Sequence, residues 1–214
     1  EHIEKFHFAE KFEAKEDKDW ALIGLWNPSP GLCDEFQMKS DFPIHQLEWR
    51  RWRSMDCDLW RDSMRKSLYF VRVRRSQCPH YLEHLNEVTV PLLGQKLFEY
   101  FRMQAGVPQV GPEANDHTII LETGFDEAVA RNKGCYPGQE VVERIFTYGS
   151  VNKKLLPIQI RGALPSLPQP LMQDGKEIGR LVSAIDSPES PGTGVGLAFI
   201  HKDQWSVKDT PFTF

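Results

Sequence analysis

The chain has 214 residues, room for one or two domains that each bury a core, and its 40% apolar and 26% charged residues exclude disorder over the whole length. Acidic residues outnumber basic ones 30 to 26, so no global attraction to nucleic acid or an acidic membrane is indicated. Apolar runs such as 155–160 are far too short to span a bilayer, and no signal peptide is visible. The four cysteines, Cys33, Cys57, Cys78 and Cys135, form no CxxC pair. That spacing argues against a disulfide scaffold, a zinc knuckle and a four-cysteine iron–sulfur site, and a reducing compartment is expected.

In chain order, the alternation of Phe6 and Phe8 in a charged segment weakly favours a strand. Residues 20–26 (WALIGLW) read as a strand ended by the turn Asn27-Pro28-Ser29-Pro30-Gly31. Trp49, Trp52, Met55 and Leu59 share a face at helical spacing, so 47–66 is expected to be one helix. Residues 68–73 read as a strand, and 81–85 is ambiguous. A helix is expected from Val90, with Pro91 in its first turn and Gly106 and Pro108 closing it. Residues 118–121 read as a short strand, 125–131 as a short helix and 140–146 as a helix of two to three turns. Beyond Gly149 the segments 155–161, 170–173, 177–184 and 195–200 are short and β-like, and Asp174-Gly175 is a hairpin signal. The expected organisation is an α+β body over 1–149 and an antiparallel β-barrel domain over 150–214.

One stretch concentrates the chemistry: Asn132-Lys133-Gly134-Cys135-Tyr136-Pro137-Gly138-Gln139-Glu140. Cys135 sits between glycines just ahead of a predicted helix, with Lys133 nearby. A helix N-terminus and a cation both favour a thiolate, which makes Cys135 a candidate nucleophile or redox thiol. The competing reading is an inert cysteine in a tight loop, and no partner base emerges. Glu122, after the apolar run 118–121, is placed to meet a planar donor–acceptor edge such as a pterin; a surface glutamate is the alternative. His80 and His84 lie at i, i+4 but lack a zinc signature. Residues 50–75 carry nine Lys or Arg against three acids, interleaved with tryptophans. That is the best case for a nucleic-acid surface, against a solvated face over a Trp-rich core.

The segment 133–140 closely resembles the Lys-Gly-Cys-Tyr/Phe-x-Gly-Gln-Glu signature of the YgfZ-type folate-binding proteins, relatives of the glycine-cleavage aminomethyltransferase (T-protein). Arg102-Met103-Gln104-Ala105-Gly106-Val107-Pro108 and Ile120-Leu121-Glu122-Thr123-Gly124-Phe125 also resemble segments of that family, and residues 155–200 resemble its closing β-barrel. The resemblance is firm over about 90–200 and loose before that, as if roughly the first hundred residues of the family were absent. It implies a partial aminomethyltransferase-like body followed by a barrel, with tetrahydrofolate or a derivative as cofactor. It also implies reduced folate and iron–sulfur client proteins as partners, and a cytoplasmic or, in a eukaryote, mitochondrial matrix location. The catalytic candidates are Cys135 and Lys133; the folate-contacting candidates are Glu122, Arg144, Tyr136 and Gln139. Gln139 and Glu140 would order the loop, and Arg144 would pair with Glu140 or face the folate. A folate-dependent aminomethyl or one-carbon transferase is the alternative function, and a nucleic-acid module through 49–75 is the third.

Overall fold

The computed structural model describes residues 17–36, 38, 48–52, 55–61, 68–205 and 212–213. They fall into two compact units, Glu1–Pro91 and Leu92–Phe214. The strand expected around Phe6 and Phe8 lies outside the described residues.

In the first unit, β1 (Trp20–Trp26), β2 (Glu48–Trp52), β3 (Met55–Arg61) and β4 (Leu68–Arg74) form an antiparallel sheet in the order β1-β4-β3-β2. Helix α1 (Pro30–Glu35) starts at Ser29, whose hydroxyl accepts the Leu32 N–H, and Pro30 occupies its first turn. Helix α2 (Cys78–Glu87) resolves the ambiguous segment 81–85. The core joins Leu25, Leu59, Val71 and Val73 of the sheet to Leu32, Tyr81 and Leu85 of the helices.

The helix expected over 47–66 is two strands instead. A period of two competes with the helical spacing there: Cys57 and Leu59 point into the core, while Asp58 alternates with them. Asp58 lies directly across from Arg72 on β4 and takes the guanidinium's Nε and Nη2 on one oxygen, at 2.8 and 2.6 Å. Cross-strand pairing of that kind outweighs helix propensity.

The second unit begins with α3 (Gln95–Gln104), four residues beyond Pro91, so that proline precedes the helix instead of opening it. Its end falls where expected. Gly106 has φ +70, and the Val107 N–H returns to the Arg102 carbonyl at 3.0 Å. Arg102 is buried, donating to the Val107 carbonyl at 2.6 Å, to Glu99 at 2.9 Å and to the fully buried Glu113 at 3.2 Å. The expected strand at 118–121 is instead a turn of 3-10 helix, Ile120–Glu122, and the expected helix at 125–131 shrinks to Asp126–Ala128. In the former, the Thr123 hydroxyl donates to the Ile120 carbonyl at 2.7 Å and holds the turn closed. Helix α4 (Gln139–Tyr148) follows.

The remaining strands are β5 (Lys153–Arg161), β6 (Gln169–Gln173), β7 (Lys176–Asp186), β8 (Thr193–His201) and β9 (Phe212–Thr213). Asp174-Gly175 makes the two-residue β6–β7 hairpin with φ +50 and +77, the positive pair such a turn requires. The sheet order is β6-β7-β8-β5-β9, and β9 runs parallel to β5.

The expected C-terminal β-barrel is not formed: β6 and β9 stay as the outer strands of an open sheet. The sheet nevertheless gathers its own core, with Ile158, Ile160, Leu171, Ile178, Leu181 and Ile200 drawn from four strands. On the other face Leu155 and Leu197 pack with Met103 of α3. Alternation and turn signals are the same for a curled open sheet and a closed one; closure depends on the two outer strands meeting.

Candidate functional site

The 3-10 turn Ile120–Glu122 places Glu122 over a small core of Leu121, Val142 and Val151. The Glu122 side chain is only 7% exposed. Its Oε2 accepts the backbone N–H of Ile119 at 3.3 Å and lies 3.6 Å from Lys153 Nζ. A carboxylate so far withdrawn from water requires partners of this kind.

Helix α4 supplies the neighbouring wall. Val141, Arg144, Ile145 and Tyr148 recur at i, i+3, i+4 and i+7, which puts them on one face. With Ile119, Glu122 and residues 149–152 they line a cleft of about 280 Å³. The cleft mixes apolar side chains with the Glu122 carboxylate, the Arg144 guanidinium and the polar side chains of Tyr148, Ser150 and Asn152. Such a site favours a flat ligand that donates hydrogen bonds at one end and carries negative charge at the other. Arg144 forms no ion pair with Glu140, so its guanidinium stays available to the cleft.

The cysteine loop precedes α4. Arg131 anchors its start, donating to Glu143 at 3.1 Å and lying 4.7 Å over the Phe146 ring. Lys133 Nζ lies 4.4 Å over the Tyr136 ring. The Tyr136 hydroxyl is buried and has no hydrogen-bond partner. Cys135 is exposed. The helix begins at Gln139, with Gly138 as its cap at φ +86, so Pro137 stays outside it and Cys135 lies three residues ahead of the cap. Glu122 and Arg144 therefore share the cleft, whereas Lys133, Cys135, Tyr136 and Gln139 are not among its lining residues.

Elsewhere, His84 is buried in the first unit, with Nε2 2.9 Å from Glu35 and Nδ1 3.2 Å from Glu87. His80 instead faces Glu83 at 3.6 Å. Among the described residues no three His, Cys, Asp or Glu side chains group to hold a metal. Within the basic segment, Arg72 and Arg74 lie 4.7 and 4.1 Å over the Trp20 ring, and Arg75 donates to the Lys18 and Trp20 carbonyls. These arginines are engaged by their own unit. No described helix is long and apolar enough to cross a membrane.

Two residues of this neighbourhood escape sequence reading. Lys153 sits at the start of a strand with no motif around it. Tyr148 is 86% exposed yet lines the cleft, and only the i, i+3, i+4, i+7 series from Val141 signals it.

The superposition on a solved structure settles the architecture. The glycine cleavage system aminomethyltransferase T from Bartonella henselae matches with a TM-score of 0.60 at 16% identity, over 85% of this chain and 52% of that one. The chain has the aminomethyltransferase fold. Residues 152–214 match the model of the CAF17 C-terminal beta-barrel domain, although in this chain the corresponding sheet is open. In sequence the chain is 32% identical over 127 residues to a chloroplastic putative transferase of Arabidopsis thaliana, covering 59% of this chain and 28% of that protein. It is 28% identical over 115 residues to the mitochondrial iron-sulfur cluster assembly factor IBA57 of Mus musculus, covering 50% and 30% respectively. The chain thus spans under a third of the length of these curated relatives.

Proposed function

We propose that this chain is the folate-binding part of an accessory protein for iron–sulfur enzymes, acting through the exposed thiol of Cys135. The observation that carries the reading is the cleft lined by both the buried Glu122 and the exposed Arg144. It matches what a reduced folate offers: a flat ring with N–H donors and an anionic tail. Glu122 takes the ring edge and Arg144 the tail. Tyr136 and Gln139 join the folate from the loop side, and Lys133 keeps the potential positive beside Cys135. The partners are reduced folate and the iron–sulfur clients, and the location follows the organellar relatives. The cleft proposed to hold the folate lies within the second unit, between residues 119 and 152.

The kinship with an assembly factor favours this role over aminomethyl or one-carbon transfer. The transferase-named relative and the aminomethyltransferase fold favour the second reading. Titration calorimetry of the protein with tetrahydrofolate tests the ligand. Glu122→Gln should weaken binding by at least tenfold, because it replaces a charge-assisted acceptor; unchanged affinity rejects the assigned contact. Cys135→Ser should lose the accessory activity, read as client-enzyme activity in cells lacking the protein, and keep folate affinity. Full complementation by the serine variant returns Cys135 to a structural role.

A further inference from the structure

We infer that Lys153 is the positioning residue of the cleft: it fixes Glu122 through Oε2 and leaves Oε1 as the atom that meets the ligand. This rests on the folate reading above and adds to it the residue that sets how the ligand is read.

Both contacts to Glu122 fall on one oxygen. The Ile119 N–H and Lys153 Nζ both address Oε2, at 3.3 and 3.6 Å. Lys153 is the one cation within ion-pair distance of Glu122 among the described residues. Without it a carboxylate 7% exposed would keep a single backbone donor, too little compensation for a buried charge.

Lys153 is itself held. It is the first residue of β5, opposite His201, and its Nζ lies 4.7 Å over the ring of Phe199, the diagonal neighbour on β8. The strand therefore fixes the cation, and the cation fixes the rotamer of the glutamate. A carboxylate with one oxygen committed on two sides accepts its ligand bonds on the other oxygen. It then discriminates by the donors at a single edge of the ring rather than by general charge attraction.

The test uses the protein with two probes, tetrahydrofolate and its 2-desamino-2-methyl analogue, which lacks the exocyclic donor. Wild type should prefer tetrahydrofolate. Lys153→Met should weaken tetrahydrofolate binding about tenfold and shrink the preference between the two probes, since a charged hydrogen bond loses its orientation. Lys153→Arg should restore both. If Lys153 only stabilises the fold, Lys153→Met will weaken both probes equally and leave the preference unchanged; that result overturns the inference.

Thermal midpoints provide the second measurement. Lys153→Met should lower the midpoint more in wild type than in Glu122→Gln, where only its contact with Phe199 is lost, and equal shifts in the two backgrounds would overturn the coupling. A wild type that binds neither probe refutes the folate reading, and the thermal cycle then decides the Lys153–Glu122 coupling by itself.

Discussion

Arg102→Met removes the guanidinium that satisfies three acceptors at the end of α3. The Val107 carbonyl loses a 2.6 Å bond, Glu99 loses one of 2.9 Å, and Glu113 loses one of 3.2 Å. Glu113 matters most, because it is fully buried and would keep only the Gln109 N–H at 2.9 Å. Breaking a buried pair from one side costs about 3–5 kcal/mol, since the other charge stays uncompensated. At ~2–4 °C per kcal/mol for a chain of this size, the thermal midpoint should fall by roughly 10 °C. Urea denaturation followed by circular dichroism measures the loss. Hydrogen exchange over 95–113 localises it. The double variant Arg102→Met/Glu113→Leu should be more stable than Arg102→Met alone, because no buried charge is then left without a partner. A double variant that loses the sum of the two single costs would refute this reasoning.

Gly196→Ala should destabilise the second unit by about 1–3 kcal/mol, the usual cost of overpacking. Its Cβ would stand 2.6 Å from both the Ser183 carbonyl oxygen and Leu181 Cδ1, where the β7–β8 pairing shifts register between Leu181 and Ser183; an unchanged melting curve would show that this irregular stretch yields freely. In the first unit, burial foremost, and then Cys57 and Asp56, hold the Tyr81 hydroxyl well above the usual phenol range. The folded state therefore keeps a proton that the unfolded chain releases above about pH 10, and stability should fall as pH rises beyond that value. Absorbance at the phenolate band, recorded with circular dichroism, should show Tyr81 ionising only as the unit unfolds. Cys135 should alkylate at neutral pH well before Cys57 and Cys33, because it is exposed while Cys57 is buried and burial, then Asp34, raises the Cys33 thiol. Site-by-site mass spectrometry gives the order, and equal rates would contradict it.

Much of the second unit was legible because its signals are local. Asp174-Gly175 is a strong signal for a tight hairpin turn, and Gly106 ends α3 by its positive φ. Glu122 and Arg144 were legible as candidates through resemblance, and their shared cleft joins a turn to a helix. What escaped depends on partners distant in sequence. The strands at 48–61 are decided by pairing with β4, where Asp58 finds Arg72 fourteen residues on. The run at 118–121 looked like a strand because it is apolar, yet among the described residues no strand pairs with it and it closes on itself as a 3-10 turn. Lys153 acquires a role only when β5 brings it beside a glutamate thirty-one residues earlier. Glu113 carries no motif at all, and its importance comes from Arg102 reaching it across a loop.

A sheet that stays open has rims, and a rim is a template on which another chain can add a strand. The β6 rim carries Pro170, which cannot donate to an incoming backbone, with Pro168 just before it. The opposite rim, β5, is partly overlaid by the short parallel strand β9 at Ile160 and Arg161. The two rims are thus guarded by different means: at one side by prolines that cannot donate, and at the other by a two-residue parallel strand.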